Sequence, residues 1–267
     1  MKYLKALCRK IPQSIIDFGL RQRKPSVPFN YELAVKQHEQ YINALRNAGI
    51  KDVTVLESDE VLPDCVFVED LAIVIGQTAL ITHPGAHSTK LETNEVLKHF
   101  VSDDLIETVH IMKASACCDG GDVLFTGKEI FVGISERTNL EGMDTIKKTF
   151  SNFPVHALNI GSEKVHLKSF SSMVGENGIV FGKSEISQRV KKELISKATE
   201  KYDIYDVPED YAANAIYANE VLIHRSADEF PESVELFNKL PIKNKISLNC
   251  SELMKIDGAL TCCSILY

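Results

Sequence analysis

The chain has 267 residues, of which 44% are hydrophobic and 25% charged, which is ordinary usage for a globular protein. This composition excludes a disordered tail, a collagen and a disulfide miniprotein. Thirty basic side chains against 37 acidic ones give a net charge of −7. Nucleic acid and anionic membranes are therefore disfavoured as partners, and a cationic small ligand is favoured. Because no linker rich in Gly, Ser or Pro divides the chain, we expect a single domain spanning residues 1–267.

The sequence also indicates a compartment. No segment approaches 18 consecutive apolar residues, and the apolar part of the N-terminus is too short and too interrupted for a signal peptide. Seven cysteines, which include the neighbouring pairs Cys117–Cys118 and Cys262–Cys263, show no spacing typical of structural zinc. We therefore expect reduced thiols, a cytoplasmic location and no membrane association.

Pairs of short apolar segments around a tight turn recur along the chain. They predict four β-hairpins, with strands at 71–75 and 78–82, 122–126 and 129–133, 172–175 and 179–181, and 215–218 and 221–224. A helical pattern follows each hairpin, at 88–101, 138–150, 183–201 and 231–240, and a strand follows each helix, at 105–111, 155–158, 204–207 and 245–248. The repeat of roughly 40–50 residues is typical of propellers and arrays.

The two ends of the chain supply a fifth unit. A helix is predicted over 31–48, with Gly49 in the C′ position, and a strand over 53–56. The last predicted strand, 260–266, provides the hairpin half that this unit lacks. The sequence therefore predicts one closed α/β ring of strand–strand–helix–strand units, in which the termini meet. Before the first helix, the proline-containing segment 21–28 is interpreted either as a plain connection or as a lid over a central site.

Polar residues collect at the predicted starts of the hairpins, where a ring of short units can bring them to its centre. Before the first hairpin, Asp64, Glu69 and Asp70 are interleaved with apolar residues. In a strand, Asp64 and Asp70 lie on one face and Glu69 on the other. Carboxylates this close to a buried strand need cationic partners. The cluster is interpreted either as a solvated strand start or as a cage for a guanidinium or ammonium group.

Three further segments carry groups of catalytic type. They are the turn Asp119-Gly-Gly-Asp122, the histidine His166, and Cys262–Cys263 near the C-terminus. Taken singly, each has a structural interpretation: a tight turn, a core or surface histidine, and a small buried hydrophobe. Taken together, a cysteine, a histidine and carboxylates at equivalent hairpin starts match the nucleophile, the base and the orienting group of covalent catalysis.

These segments resemble those of the dimethylarginine dimethylaminohydrolase family. The resemblance is carried by Asp64-Cys-Val-Phe-Val-Glu69-Asp70, Asp119-Gly-Gly-Asp122-Val-Leu-Phe-Thr-Gly127, His166-Leu-Lys-Ser-Phe170 and Leu260-Thr-Cys262-Cys-Ser264, and it runs from about Leu20 to the C-terminus. It implies the pentein fold, a five-bladed β/α propeller of ββαβ units with pseudo-fivefold symmetry. It also implies hydrolysis of Nω-methylated arginine to citrulline and a methylamine, with no metal or organic cofactor.

The resemblance implies a role for individual residues. Cys262 rather than Cys263 resembles the nucleophile, because the family's cysteine follows the small residue that is Thr261 here. His166 resembles the general acid and base. The other residues that the resemblance assigns are Asp119 to orient the histidine, Glu69 and Asp70 to bind the guanidinium, Asp64 and the backbone carbonyls of Leu20 and Ile256 to bind the amino-acid end, and Arg137 to hold the α-carboxylate. A thiolate beside a second thiol and a histidine also offers ligands that bind zinc well. Inhibition by zinc at Cys262 and His166 is therefore a further expectation.

One position departs from the family's pattern. Thr89 stands where the family has a second arginine, and Lys90 or His87 is left to supply the cation. Lysine does not reproduce the bidentate fork of arginine. The departure bears on the substrate more than on the chemistry, and it keeps an arginine deiminase or another amidine hydrolase of the same fold as the alternative. A non-catalytic ring that binds a macromolecule is less favoured, since it would have no reason to keep these groups together. The sequence leaves monomer and homodimer open.

Overall fold

The structure is a computed structural model, and it describes residues 2–21, 25–85, 92–161 and 166–267. Within these residues the strands form five three-stranded sheets. The strands are β1 (Lys5–Arg9), β2 (Asp52–Leu56), β3 (Ala72–Ile75), β4 (Thr78–Ile81), β5 (Thr108–Ile111), β6 (Val123–Phe125), β7 (Ile130–Ile134), β8 (Val155–Asn159), β9 (Ser171–Met173), β10 (Gly178–Phe181), β11 (Asp203–Asp206), β12 (Ile216–Ala218), β13 (Val221–Arg225), β14 (Asn244–Leu248) and β15 (Ile265–Leu266).

Each sheet has the same topology. Its middle strand pairs antiparallel with the strand that starts the unit and parallel with the strand that ends it, as in β3–β4–β5 and β6–β7–β8. A helix connects the middle strand to the last one. These helices are α2 (Tyr31–Asn47), α3 (Thr93–Ser102), α4 (Leu140–Thr149), α5 (Glu185–Lys197) and α6 (Pro231–Lys239), and two short helices, α1 (Ile15–Phe18) and α7 (Ser251–Met254), lie in connections. The predicted ring of ββαβ units is confirmed.

Local chemistry sets the ends of the helices. The Asn30 side chain accepts from the N–H of Leu33 at 3.0 Å and starts α2, and Ser184 does the same for the N–H of Ser187 at the start of α5. After α2, Gly49 has a φ of +83°, the left-handed conformation that ends many helices. The prediction for Gly49 is therefore confirmed.

The termini close the ring, as predicted. Strand β1 pairs antiparallel with β15 and parallel with β2, so the first sheet combines both ends of the chain. Two details differ from the sequence prediction. The strand β1 was not predicted, and the C-terminal strand is only Ile265–Leu266, because residues 261–263 form a 3₁₀ turn instead.

A 3₁₀ turn precedes the first strand of every sheet. The five turns are η1 (Val68–Leu71), η2 (Gly120–Asp122), η3 (Leu167–Ser169), η4 (Asp210–Ala213) and η5 (Thr261–Cys263). The first strands of all five sheets line a cavity of about 150 Å³, together with residues of these turns. The turns therefore meet near the axis of the ring. The strand-based placement of Asp64 and Asp70 on one face and Glu69 on the other is wrong, because Glu69 and Asp70 lie in η1.

Apolar side chains from neighbouring sheets share four buried clusters, so the core follows the ring instead of filling one centre. In the described ranges, no helix combines the length and the apolar character needed to cross a membrane.

Candidate active site

The 3₁₀ turns bring side chains from different sheets to one place. Glu69 and Asp70 lie in η1, Asp119 directly precedes η2, His166 directly precedes η3, and Cys262 lies in η5. Ligand atoms of Asp70, Asp119 and His166 all fall within 4.8 Å of one another. Residues that are far apart in the sequence therefore form a single site, because each sheet presents the same turn to the ring axis.

His166 and Asp119 form the centre of this site. Nε2 of His166 lies 3.0 Å from Oδ2 of Asp119, whose side chain is fully buried. The same oxygen accepts from Nη1 of Arg137 at 3.1 Å, and Oδ1 accepts from the N–H of Gly85 at 2.7 Å. Burial lowers the pKa of His166, but the surrounding carboxylates, with Asp70 first, outweigh burial and raise that pKa to about 10. The imidazole is therefore a cation at neutral pH.

The two glycines of η2 allow a close approach of backbone to this site. A Cβ on Gly121 would lie 2.6 Å from Nδ1 of His166, and a Cβ on Gly120 would overlap the carbonyl oxygen of Glu69. The N–H of Gly121 also donates to Oδ1 of Asp70 at 2.8 Å. The Asp-Gly-Gly-Asp segment is thus built of glycine because any side chain there would displace the neighbouring groups.

The two acids of η1 have different environments. Burial, together with the charges of Asp119 and Glu69, raises the pKa of Asp70 to about 7, although the charge of His166 and the N–H of Gly121 lower it. Glu69, in contrast, is already paired: its Oε1 lies 2.6 Å from Nζ of Lys168, and its Oε2 accepts from Oγ1 of Thr261 at 2.9 Å. Within the described residues, Glu69 is therefore already paired by its own chain, while Asp70 keeps capacity for a further cation.

Cys262 lies beside these acids, in a turn and not in the predicted strand. It is partly exposed, whereas Cys263 is only 1% exposed. Burial raises the pKa of the Cys262 thiol well above its ordinary value; Glu69 and Asp70 raise it further, and Lys168 lowers it. The sulfur is therefore protonated at neutral pH.

Asp64 and Leu20 form a second part of the site. Oδ1 of Asp64 accepts from the N–H of Leu20 at 2.9 Å, and Oδ2 is buried without a hydrogen-bond partner among the residues that the structure describes. The pKa of Asp64 is raised, because burial outweighs the N–H of Leu20 and the charge of Arg137, which lower it. Ile256 follows α7, in a turn that continues into Asp257 with a φ of +60°. A buried carboxylate oxygen without a donor is suited to an ammonium group.

The loop position that departs from the family's pattern cannot be placed. Thr89, Lys90 and His87 lie outside the described residues. Among the described residues, the group suited to a metal ion is Asp70, Asp119 and His166, and Cys262 is not part of it. Inhibition by zinc at Cys262 and His166 stays a prediction.

The structure adds two residues that the sequence analysis did not single out. Lys168 pairs with Glu69, and Asn214, which is 1% exposed, bonds to the backbone of Lys168 and to Thr261. Asn214 directly precedes the fourth hairpin. A search for polar residues at every hairpin start, including the fourth, would therefore have found it.

Comparisons with known proteins give a matching family model and curated relatives. The model of the family described as N,N dimethylarginine dimethylhydrolase, eukaryotic, matches residues 13–246. N(G),N(G)-dimethylarginine dimethylaminohydrolase of Pseudomonas aeruginosa is 31% identical, with 98% of each chain covered, and the Streptomyces coelicolor protein of the same name is 30% identical, with 98% of this chain and 96% of that one covered.

Superposition on solved structures shows which known fold this chain shares. The N-terminal domain of ArgZ, an arginine dihydrolase from cyanobacteria, superposes with a TM-score of 0.80 at 18% identity over 99% of this chain and 97% of that one, which shows the shared pentein fold alone. A cysteine-to-serine variant of the Pseudomonas aeruginosa enzyme, complexed with citrulline, superposes with a TM-score of 0.85 at 28% identity over the whole of both chains. This chain belongs to the dimethylarginine dimethylaminohydrolase family, whose members are hydrolases of guanidino C–N bonds.

Proposed function

We propose that this protein hydrolyses Nω,Nω-dimethyl-L-arginine, and Nω-monomethyl-L-arginine, to L-citrulline and dimethylamine or methylamine, through a thiouronium intermediate on Cys262. The observation that carries the proposal is the juxtaposition of an imidazolium, His166 on Asp119, with the turns that hold Asp70 and Cys262. The relatives named above support the choice of substrate.

The guanidinium group of the substrate brings a positive charge to the acids beside Cys262. Asp70 has a raised pKa, and the Cys262 thiol shares its surroundings with Glu69 and Asp70. A planar cation that binds against these two acids would favour the ionised form of Asp70. It would also favour the thiolate of Cys262, because an opposite charge nearby stabilises an anion. In this scheme, substrate binding activates the nucleophile, and the thiol proton is released to solvent because the His166 imidazolium already carries its own proton.

The two half-reactions use His166 in opposite directions. The Cys262 thiolate bonds to the guanidinium carbon, and the His166 imidazolium gives its proton to the leaving nitrogen as the C–N bond breaks, so that neutral dimethylamine departs. The resulting thiouronium cation is attacked by water, whose proton returns to His166. Collapse of the adduct expels the thiolate and releases citrulline, and the remaining proton goes to the amine. No step needs a metal or an organic cofactor.

The amino-acid end of the substrate fits the second part of the site. The free Oδ2 of Asp64 suits the α-ammonium, with the backbone carbonyls of Leu20 and Ile256 as the proposed further acceptors. Arg137, whose side chain is 39% exposed while Nη1 is bonded to Asp119, is proposed to bind the α-carboxylate with the rest of its guanidinium. Remote contacts of this kind orient the guanidinium carbon toward the nucleophile.

The direct test incubates the purified protein with dimethylarginine, monomethylarginine and arginine, and measures citrulline together with dimethylamine, methylamine or ammonia. We expect citrulline and the matching methylamine from both methylated substrates, and no product from the Cys262→Ser variant. Ammonia release from arginine at a higher kcat/KM than from dimethylarginine would reject the proposal and make the protein a deiminase. The cytoplasmic location and the choice between monomer and homodimer remain predictions from the sequence.

A further inference from the structure

One of the five turns at the ring axis supplies no residue to the reaction proposed above. This turn is η4, and it is followed directly by Asn214 at the start of the fourth hairpin. The side chain of Asn214 is 1% exposed, so its amide is buried among neighbours rather than offered to the substrate. A buried amide must satisfy both its donor and its acceptor, and its partners therefore show what it holds in place.

Asn214 bonds to two of the other turns. Its Nδ2 donates to the carbonyl oxygen of Lys168 at 2.7 Å and to Oγ1 of Thr261 at 3.0 Å, and its Oδ1 accepts from the N–H of Thr261 at 3.0 Å. Asn214 is therefore hydrogen-bonded to both the backbone and the side chain of Thr261. Because Thr261 directly precedes Cys262 in η5, these bonds fix the turn that carries the nucleophile.

The chain of hydrogen bonds continues to the guanidinium-binding acid. A hydroxyl group has one proton. Since Oγ1 of Thr261 accepts from Asn214, its own proton is directed to Oε2 of Glu69, at 2.9 Å. Glu69 in turn pairs with Lys168 through Oε1. Residues at the starts of four of the five sheets are thus joined in one closed hydrogen-bond network that includes Thr261, the residue directly before Cys262.

We propose that Asn214 is a positioning residue of this reaction, acting through Thr261 to hold the turn of Cys262 against Glu69. The inference rests on the proposed function. It explains why an amide rather than an apolar side chain stands at this buried position: the site needs one group that both donates to the threonine hydroxyl and accepts from the threonine N–H. Loss of the amide would release the nucleophile's turn without touching Asp64 or Leu20, which are proposed to bind the far end of the substrate.

The test compares Asn214→Ala with a matched asparagine variant. Asn219 also joins two sheets through its amide, accepting from the N–H of Tyr3 at 2.8 Å and donating to its carbonyl at 3.0 Å. Asn219 has a φ of +51°, so Asn219→Gly removes these bonds without backbone strain. For Asn214→Ala we expect kcat to fall at least about tenfold, with KM within about threefold of wild type, because misplacing a reacting group mainly affects the chemical step. Asn219→Gly should keep the wild-type kcat.

A double-mutant cycle with Thr261→Val shows whether Asn214 acts through the threonine. Valine is close to threonine in shape and removes the hydroxyl, so it also cuts the network if Asn214→Ala does not fold. We compare the change in log kcat that Asn214→Ala causes in two backgrounds. In Thr261→Val this change should be less than half of the change in the wild-type protein. Additive losses, an effect confined to KM, or an equal loss of kcat in Asn219→Gly would each overturn the inference.

A labelling experiment tests the same point without turnover. Cys263, the residue after the nucleophile, is 1% exposed. If Asn214 holds this turn, iodoacetamide should alkylate Cys263 at least about tenfold faster in folded Asn214→Ala than in wild type or Asn219→Gly, as read by peptide mass spectrometry. If the wild-type protein turns over no methylated arginine, the proposed function fails. The labelling experiment then decides by itself whether Asn214 holds the turn of Cys262. Unchanged protection of Cys263 in Asn214→Ala would refute that inference.

Discussion

Two histidine–carboxylate pairs in this protein have similar geometry and different surroundings. At the ring axis, Nε2 of His166 lies 3.0 Å from Asp119. In the third sheet, Nε2 of His156, which lies in β8, is 2.7 Å from Oε2 of Glu129, which directly precedes β7. Both carboxylates are fully buried. The distance between histidine and acid therefore does not distinguish a catalytic pair from a structural one.

The surroundings of Glu129 identify it as structural. Besides His156, its oxygens accept from the N–H of Thr199 at 3.0 Å, the hydroxyl of Thr199 at 2.8 Å, the N–H of Glu200 at 3.2 Å and the hydroxyl of Tyr202 at 2.9 Å. Burial raises the pKa of Glu129, but these hydrogen bonds outweigh burial and lower the pKa. A carboxylate whose capacity is filled by its own chain ties two sheets together and offers nothing to a ligand.

The acids at the axis are incompletely satisfied. Asp70 accepts from one backbone N–H and has a pKa raised to about 7, and Oδ2 of Asp64 has no partner among the described residues. Among the described residues, both groups therefore keep capacity to accept hydrogen bonds from a cationic ligand. Unfilled hydrogen-bonding capacity, rather than the presence of a histidine–acid pair, distinguishes the proposed catalytic region.

The largest expected effect comes from removing Cys262, the proposed nucleophile. Cys262→Ser should lower kcat at least about 10³-fold, because a serine hydroxyl is scarcely ionised beside a single histidine. The melting temperature should stay close to wild type, since oxygen replaces sulfur at a partly exposed position. Cys263→Ser is the control and should keep most of the activity. A dead Cys263→Ser enzyme with an active Cys262→Ser enzyme would reverse the assignment of the nucleophile.

Replacing each of the two histidines should have different effects on catalysis and on stability. His166→Ala should lower kcat about 10²- to 10⁴-fold, because the residue acts as acid and then as base. His156→Ala removes the equivalent partner of Glu129 and should leave kcat within about twofold while lowering the free energy of unfolding by about 1 kcal/mol. Steady-state kinetics and urea unfolding of both variants provide the measurement. Equal losses of kcat in the two variants would show that the proposed site is incomplete.

Asp119→Asn should have a smaller effect than His166→Ala. Asp119 contributes to the raised pKa of His166 and is hydrogen-bonded to its ring, but in the proposed mechanism it does not itself transfer the proton. We expect kcat to fall about tenfold to a hundredfold, with the alkaline limb of the kcat profile moved to lower pH, because the imidazolium loses a stabilising anion. An Asp119→Asn enzyme with full activity and an unchanged profile would remove this residue from the mechanism.

The sequence predicts most of the fold because each unit repeats two strong patterns. Apolar pairs around tight turns locate the hairpins, and the predicted helix 31–48 matches α2 to within one residue. The predicted helix 183–201 begins two residues before α5 and ends four residues after it, because residues 198–201 continue the helical pattern while the backbone turns toward Glu129. A short strand such as β1, which alternates weakly, carries too little pattern to be recognised.

The site is predicted less completely than the fold. Cys262, His166 and the acids were found from residue type and from their place at hairpin starts. The 3₁₀ turns that carry them were not, since three or four residues leave no periodicity to detect. This is why a strand was expected at 260–266 and a strand face for Asp64 and Asp70. Lys168 was missed because a lysine beside a histidine gives no signal until the fold brings Glu69 to it.

Substrate affinity should depend on pH through Asp70. In the Cys262→Ser variant, which separates binding from the titration of the thiol, the affinity for dimethylarginine should fall about tenfold between pH 8 and pH 6. The sign follows from the pKa of about 7: below it Asp70 takes up a proton and no longer attracts the guanidinium. Isothermal titration calorimetry gives the dissociation constants, and Asp70→Asn should bind weakly at both pH values. Constant affinity over this range would mean that Asp70 does not contact the cation.

The smallest effect on catalysis is expected at the saturated carboxylate. Glu129→Gln should keep kcat within about twofold of wild type, yet lower the free energy of unfolding by about 1–3 kcal/mol at pH 7, because several donors lose an anionic acceptor. Because the folded protein lowers the pKa of Glu129 below its ordinary value of 4.5, its contribution to stability is present above that value and is lost as the pH falls below it. Urea unfolding at pH 7 and pH 4 should therefore show a difference between wild type and Glu129→Gln that narrows in acid. A difference that is the same at both pH values, or a tenfold loss of kcat, would remove the distinction between the structural pair and the catalytic one.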